Sequence, residues 1–383
     1  MKQVKWQTAV MHDGKLILSL FGTLFLSLCI LLFSPALNAQ DTRRVTSGMP
    51  GELYDIGTHR MHLFCTGQGS PTVVIDSGLG GFSLEWQTVQ GNVSKKVRIC
   101  SYDRAGYGWS DPGPKPRTTQ QITKELHHLL EVAGIEGPYI MVGHSFGGYN
   151  IRYYASTYPE DVVGLVLVDS SHPDQFQRLP QAEVKVPTRR KNSVTFRISV
   201  PIIPGNYPEN LKNQAFALMA NFKALRTKDE EWDNFRISAA QVSELNNLPD
   251  VPLTVISRGK RVWPYNDFGN KSEQVWKELQ NDLCHLTSHV EHYVAHDSGH
   301  LVHLDQPNLV TMAINRTVDT ANEIKAVRMA AIEQRQQPLS SKNFMAINAS
   351  YDHQGTFSKQ YLPYLPLMGE QVGYYKPLHI NSF

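Results

Sequence analysis

The chain has 383 residues, 41% of them hydrophobic and 19% charged, which excludes a low-complexity polymer and a charge-dominated disordered chain. Its 37 Lys and Arg against 35 Asp and Glu leave a net charge of +2, too weak a field to hold a phosphate backbone, so nucleic acid is not an expected partner. A chain of this length can bury roughly three quarters of its unfolded surface, enough for one large core with an inserted subdomain.

The first 40 residues differ from the rest. Lys2, Lys5 and Lys15 lead into the uncharged run Leu16 to Phe33, LILSLFGTLFLSLCILLF, and Pro35 and the small residues around Ala39 follow it. Basic start, apolar middle and small-residue exit are the three parts of a secretory signal, so residues 1–39 read as an export segment and the protein as periplasmic or secreted. The run also approaches the length of a membrane span, and an uncleaved anchor formed by residues 16–33 is the alternative. Cys29 sits in LSLC, without the small residue that a lipoprotein signal wants before its cysteine. Cys65, Cys100 and Cys284 remain; their spacing suits no metal, and an oxidising compartment permits one disulfide with one thiol left over.

From Glu52, ELYDI, a Gly57-Thr58 turn and HRMHLFCTG alternate as a hairpin does. TVVIDSG is a buried strand ending in glycine, followed by a polar stretch, then VRICSYD and the glycine-rich AGYGWSDPGP. Thr118 to Ala133 carries Ile122, Leu126, Leu129 and Leu130 on one helical face. The pattern repeats with YIMVGHS, GGYNIRYYASTYP and VVGLVLVDSSHP, and later with PLTVISRG and HVEHYVAHDSGH. Apolar strands alternating with helices predict an α/β fold with a mainly parallel sheet covered on both faces. Residues 172–250 break the rhythm; the helical spacing in ENLKNQAFALMANFKALRTKDEEWDNF predicts a helical lid between two core parts, residues 40–171 and 251–332. Residues 333–383 form an extension, rich in aromatics and prolines, with no clean period and no assignable role.

The sharpest chemical signal is Gly143-His144-Ser145-Phe146-Gly147, a G-x-S-x-G pattern between a buried strand and a helical run. Small residues on both sides let the chain turn sharply and lift the Ser145 hydroxyl clear of the backbone. The unpaired N–H groups at the helix start, Phe146 first, can stabilise an oxyanion.

With this turn the chain resembles the α/β-hydrolase superfamily, in its serine-nucleophile branch, from about Glu52 to Thr320. Ser77-Gly78-Leu79-Gly80-Gly81 looks like the loop that supplies the family's second oxyanion donor, which makes the Leu79 N–H the donor here, although Ser77 stands where many members have histidine. Tyr102-Asp103-Arg104-Ala105-Gly106-Tyr107-Gly108-Trp109-Ser110 is similar to the family's D-x-R-G-x-G-x-S turn, and its Asp103 and Arg104 read as loop-holding residues. The family's usual strand order makes the strands of Cys65 and Cys100 neighbours, so the resemblance allows a disulfide between them. The bland alternative is two small buried hydrophobes.

A serine hydroxyl needs a base. The family places it after the last strand, where this chain has Asp297-Ser298-Gly299-His300; His300 is the candidate, and His303 reads as supporting structure. The imidazole in turn needs a carboxylate. Members commonly carry it after the seventh strand, but PLTVISRG is followed by Lys260, Arg261, Val262, Trp263 and Pro264, with no acid until Asp267. Other members place it one strand earlier, where VLVD ends in Asp169 at the carboxyl edge of the sheet. Asp169 is therefore favoured over Asp267, with Asp174 and Asp297 behind.

The resemblance then implies attack by Ser145 on an acyl carbonyl, with His300 as base and the Leu79 and Phe146 N–H groups as oxyanion hole, without metal or organic cofactor. An aspartate in place of Ser145 would have suggested a dehalogenase or an epoxide hydrolase. Carboxylic ester hydrolysis on a small acyl substrate is the first expectation. A serine aminopeptidase, marked by an acidic pocket for a substrate ammonium, and a non-catalytic binding protein of this fold are the alternatives.

Overall fold

A computed structural model of the chain describes residues 48–181 and 202–336. The expected export segment, residues 182–201 of the expected lid, and residues 337–383 lie outside the described residues. The chain divides into two units, residues 1–328 and 329–383, and the sheet belongs to the first.

Eight strands form one sheet: β1 (Glu52–Asp55), β2 (Arg60–Thr66), β3 (Thr72–Asp76), β4 (Ile99–Tyr102), β5 (Tyr139–His144), β6 (Val162–Val168), β7 (Leu253–Arg258) and β8 (Val290–Ala295), in the order β1-β2-β4-β3-β5-β6-β7-β8. The β1–β2 and β2–β4 pairs are antiparallel, and every other pair is parallel. The described helices are α1 (Gln87–Val93), α2 (Thr119–Val132), α3 (Gly147–Thr157), α4 (Gln175–Arg178), α5 (Lys212–Met219), α6 (Phe222–Asp233), α7 (Phe235–Ser243), α8 (Asp267–Leu283), α9 (Val302–Asp305) and α10 (Pro307–Gln336).

The continuous apolar runs of β3, β5 and β6 follow from burial on both faces. Alternate residues point opposite ways along a strand. Val74, Met141, Leu165 and Leu167 pack with Leu126 and Leu129 of α2 and Tyr154 of α3, whereas Val73, Ile75, Ile140 and Val142 pack in a second cluster with Trp86, Val89, and Val310 and Ile314 of α10. The strands thus separate two cores. Cys65 and Cys100 face each other across the β2–β4 pair and are disulfide-bonded, which fastens the hairpin to the parallel sheet. Cys284 is a free thiol.

Two local features add detail. The polar stretch after β3 contains a 3-10 turn at Ser83–Trp86 and α1; seven residues with Val89 and Val93 on the buried side are too few for helical spacing to show. The insert, expected to be mostly helical, carries α5, α6 and α7 in succession among its described residues. Asn221 separates α5 from α6 by accepting from the Lys223 N–H, and Asn234 lies between α6 and α7. Asparagine competes with the helix for its own backbone in this way.

Candidate active site

β5 ends at His144 and α3 begins at Gly147, so the chain turns within two residues. Ser145 occupies that turn at φ +50°, left-handed backbone that L-residues rarely adopt. The turn is pinned by the Ser145 N–H on the Val168 carbonyl at 3.1 Å and by the Gly148 and Ser171 N–H groups on the Ser145 carbonyl, each at 3.0 Å. Its glycines are fixed by close approach. A Cβ on Gly143 would stand 2.6 Å from the Gly147 carbonyl oxygen, and one on Gly147 would stand 2.2 Å from that of Asp76. Phe146 opens α3, so its N–H belongs to the unpaired first turn.

Asp169 follows β6 at φ +38°; Ser145 and Asp169 are the two non-glycine positive-φ residues among those described. Such outliers persist where the surrounding structure over-determines them. Asp169 is fully buried, and its Oδ2 lies 2.6 Å from His300 Nδ1. Its Oδ1 accepts from Trp276 Nε1 of α8 at 2.8 Å, and Arg258 at the end of β7 reaches Oδ2 with Nη1 at 3.2 Å. Burial alone would push the Asp169 carboxyl up; the hydrogen bond and charge of His300, then Arg258 and Trp276, hold it below the ordinary value. An ionised Asp169 accepts the Nδ1 proton, which leaves His300 Nε2 as the basic nitrogen. Arg258 is itself held by Glu273 at 3.2 Å and lies 4.7 and 4.9 Å from the ring centroids of Trp263 and Trp276. The neighbouring His144 donates from Nε2 to the His300 carbonyl at 2.8 Å, and burial pushes its pKa far down, so it carries no charge beside the site.

The loop from Ser77 to Gly81 is held from behind. Arg104, buried after β4, donates to Asp76 Oδ1 at 2.8 Å, to the Ser77 carbonyl at 2.5 Å and to the Gly78 carbonyl at 2.8 Å. Its remaining donors meet Glu231 of α6. Trp86 Nε1 donates to Ser77 Oγ at 3.0 Å, so the serine in the histidine position anchors the 3-10 turn. Asp103 accepts from the Ser83 and Trp109 N–H groups and lies 3.0 Å from His62 Nδ1, the loop-holding arrangement expected of it.

A cavity of about 1180 Å³ opens above the turn, lined by Ser145, His300, Gly78, Leu79 and Glu85 of the core and by Leu218, Leu225 and Phe235 of the inserted helices. The structure therefore brings Ser145, His300 and Leu79 to one cavity and places Asp169 behind His300. The rivals go elsewhere. Asp267 starts α8, Asp174 precedes α4, and Asp297 donates its N–H to Gln306; none is hydrogen-bonded to His300 among the described residues. His303 is buried, stacks on Trp86 at 4.3 Å and is pushed down to about 3 by burial. Among the described residues no group of three or more His, Cys, Asp or Glu is placed to hold a metal ion.

Sequence reasoning missed Arg258, Trp276, Glu85 and Glu231. Arg258 had a signal, its place at the carboxyl end of a buried strand. The other three lie in segments whose patterns read as ordinary surface or helix.

A family model described as alpha/beta hydrolase fold matches residues 71–192. The uncharacterized protein YqjL of Bacillus subtilis is 27% identical over 250 residues, covering 65% of this chain and 83% of that protein. The "probable transporter efuK" of Hormonema carpetanum is 40% identical over 146 residues, 36% of this chain, which span only 21% of that longer protein. The crystal structure of a putative lipase from Acinetobacter baumannii AYE superposes with a TM-score of 0.53 at 18% identity, over 75% of this chain and 96% of that one. Matched region, strand order and superposition agree that the chain has the α/β-hydrolase fold.

Proposed function

We propose that the protein is an exported serine hydrolase that cleaves carboxylic esters through an acyl-enzyme. The observation that carries this reading is the 2.6 Å contact of His300 Nδ1 with the buried Asp169, beside a serine held at positive φ in the same cavity. In the first half-reaction Ser145 Oγ attacks the ester carbonyl while His300 Nε2 takes its proton. The Leu79 and Phe146 N–H groups receive the oxyanion, and the tetrahedral intermediate collapses as His300 returns the proton to the leaving alcohol. In the second, water attacks the acyl-enzyme with His300 taking its proton, and His300 returns that proton to Ser145 Oγ as the acyl–oxygen bond breaks and the acid leaves. Asp169 stays ionised and stabilises the imidazolium.

The ester reading is favoured over an aminopeptidase by the cavity wall. Glu85 is the carboxylate among the described cavity-lining residues, and burial pushes it up to about 8, so near neutrality it is a poor partner for an ammonium. The helices α5 to α7 act as the lid that shapes the acyl pocket. The basic and apolar residues 1–39 together with the Cys65–Cys100 disulfide support export to an oxidising compartment.

The test is hydrolysis of p-nitrophenyl esters of increasing acyl length by residues 40–383 and by Ser145→Ala and Asp169→Asn. Turnover lost in both variants is the expected result. A folded protein that cleaves none of these esters, or a Ser145→Ala variant as active as its parent, overturns the reading.

A further inference from the structure

The cavity contains a polar group that the ester reading does not use. Glu85 lies in the 3-10 turn that follows the loop from Ser77, and its side chain is only 11% exposed. Its carboxyl presses on the oxyanion loop so closely that a Cβ on Gly81 would stand 2.7 Å from Oε2. His303 Nε2 lies 3.4 Å from Glu85 Oε2, and both ring nitrogens of His303 and the buried Tyr207 hydroxyl lack hydrogen-bond partners among the described residues. The Glu85 carboxyl faces the space where the substrate of Ser145 would sit.

Resting on the serine-ester reading, we propose that Glu85 is a substrate-binding residue, and that the preferred esters carry a hydrogen-bond-accepting oxygen, an ether or oxo group, in the acyl part near the scissile carbonyl. The oxyanion loop is where the carbonyl docks, and the acyl part is what remains against it through both half-reactions. The group pressed on Gly81 therefore meets the acyl part.

The protonation state of Glu85 decides which partner it takes. Burial raises it to about 8; Arg104 on the loop after β4 opposes that rise, and Asp103 on the same loop adds to it. From α9 it faces His303, neutral because burial holds it down at about 3. From the segment before α5 it faces Tyr207, whose hydroxyl is raised by its own burial and then by the charge of Glu85. Below about pH 8 Glu85 is thus a carboxylic acid, a donor for an acceptor oxygen, and it adds no negative charge near the developing oxyanion.

The experiment compares two isosteric substrates, the p-nitrophenyl esters of pentanoic and 3-methoxypropionic acid, which differ by one ether oxygen in place of a methylene. Rates are divided by the hydroxide-catalysed rate of each ester to remove intrinsic reactivity. The parent enzyme is expected to favour the ether ester by about tenfold in kcat/KM at about pH 6, the worth of one hydrogen bond to a buried donor. This preference should decline towards unity as pH passes about 8. Glu85→Gln, which keeps a donor and cannot ionise, should retain the preference at all pH values, and Glu85→Met should lose it. Equal preference in the parent and Glu85→Met, or a parent preference that does not change with pH, overturns the proposal. Should Glu85→Met not fold, the comparison of parent and Glu85→Gln across pH decides it. Ser145-dependent turnover of the pentanoate ester without an ether preference refutes Glu85 alone, whereas no turnover of either ester refutes the serine-ester reading and the proposal with it.

Discussion

Arg104 and Glu231 stand 127 residues apart in sequence and meet in a buried two-point ion pair, Nε to Oε1 at 2.9 Å and Nη2 to Oε2 at 3.0 Å, with side chains 1% and 0% exposed. Tyr107 donates its hydroxyl to the same Glu231 oxygen at 2.8 Å. The pair joins α6 of the insert to the loop that carries Leu79. Removing one partner of such a pair uncovers charge in a low-dielectric interior, which costs about 3–5 kcal/mol. Glu231→Leu is expected to lose about that much stability in urea unfolding. Arg104→Met/Glu231→Leu should lose more, because Arg104 also holds the buried Asp76 carboxylate and the Ser77 and Gly78 carbonyls. A double variant no less stable than Glu231→Leu would show that these further contacts of Arg104 contribute nothing.

Asp169→Asn keeps the shape of the acid and removes its charge. The amide can donate to His300 Nδ1 and stabilise the wrong tautomer, leaving Nε2 unable to accept the serine proton. A loss in kcat of about 10⁴-fold with little change in KM is expected from steady-state kinetics. Asp267→Asn, at the start of α8, should leave kcat within about twofold.

Glu85 links stability to pH. Its folded value is raised from 4.5 to about 8, so the folded state binds a proton that the unfolded state gives up. That contribution is fully present below 4.5 and is lost as pH rises through about 8. Glu85→Gln lacks the term. At pH 7 it should therefore exceed its parent by on the order of 3 kcal/mol in urea unfolding, and the difference should shrink as pH falls towards about 4. A difference independent of pH would mean that Glu85 is ionised in the folded protein.

The Cys65–Cys100 disulfide closes a loop of 35 residues. In the chain-entropy account a loop of that length limits the unfolded ensemble by about 4 kcal/mol. Reduction, or paired replacement by alanine, should lower the urea midpoint accordingly. Residues 40–383 unfolded without reductant should show one reactive thiol, Cys284.

Legibility in the sequence followed how local each signal was. The strands through Val74, Met141 and Leu165 announced themselves because burial on both faces leaves continuous apolar runs. Ser145 was readable because motif, strand and helix are contiguous, and Asp169 and His300 because each follows a strand on the same edge. The short helix at Gln87–Val93 was not, since seven residues hold too little periodicity. Trp276 and Glu231 were not, because each acquires its role from a partner more than 100 residues away. Nothing in the pattern around Glu85 distinguishes a carboxyl that will be enclosed from one that will be solvated.

Ser145 and Asp169 share a left-handed backbone, with different consequences. Glycine would relieve that conformation at either position, by roughly 1 kcal/mol or more, and would remove a side chain that the proposed chemistry needs. At Asp169 it would also strip Trp276 Nε1 and Arg258 of a buried acceptor, so that relief is outweighed there. Only at Ser145 does the backbone set stability and the proposed reaction directly against each other.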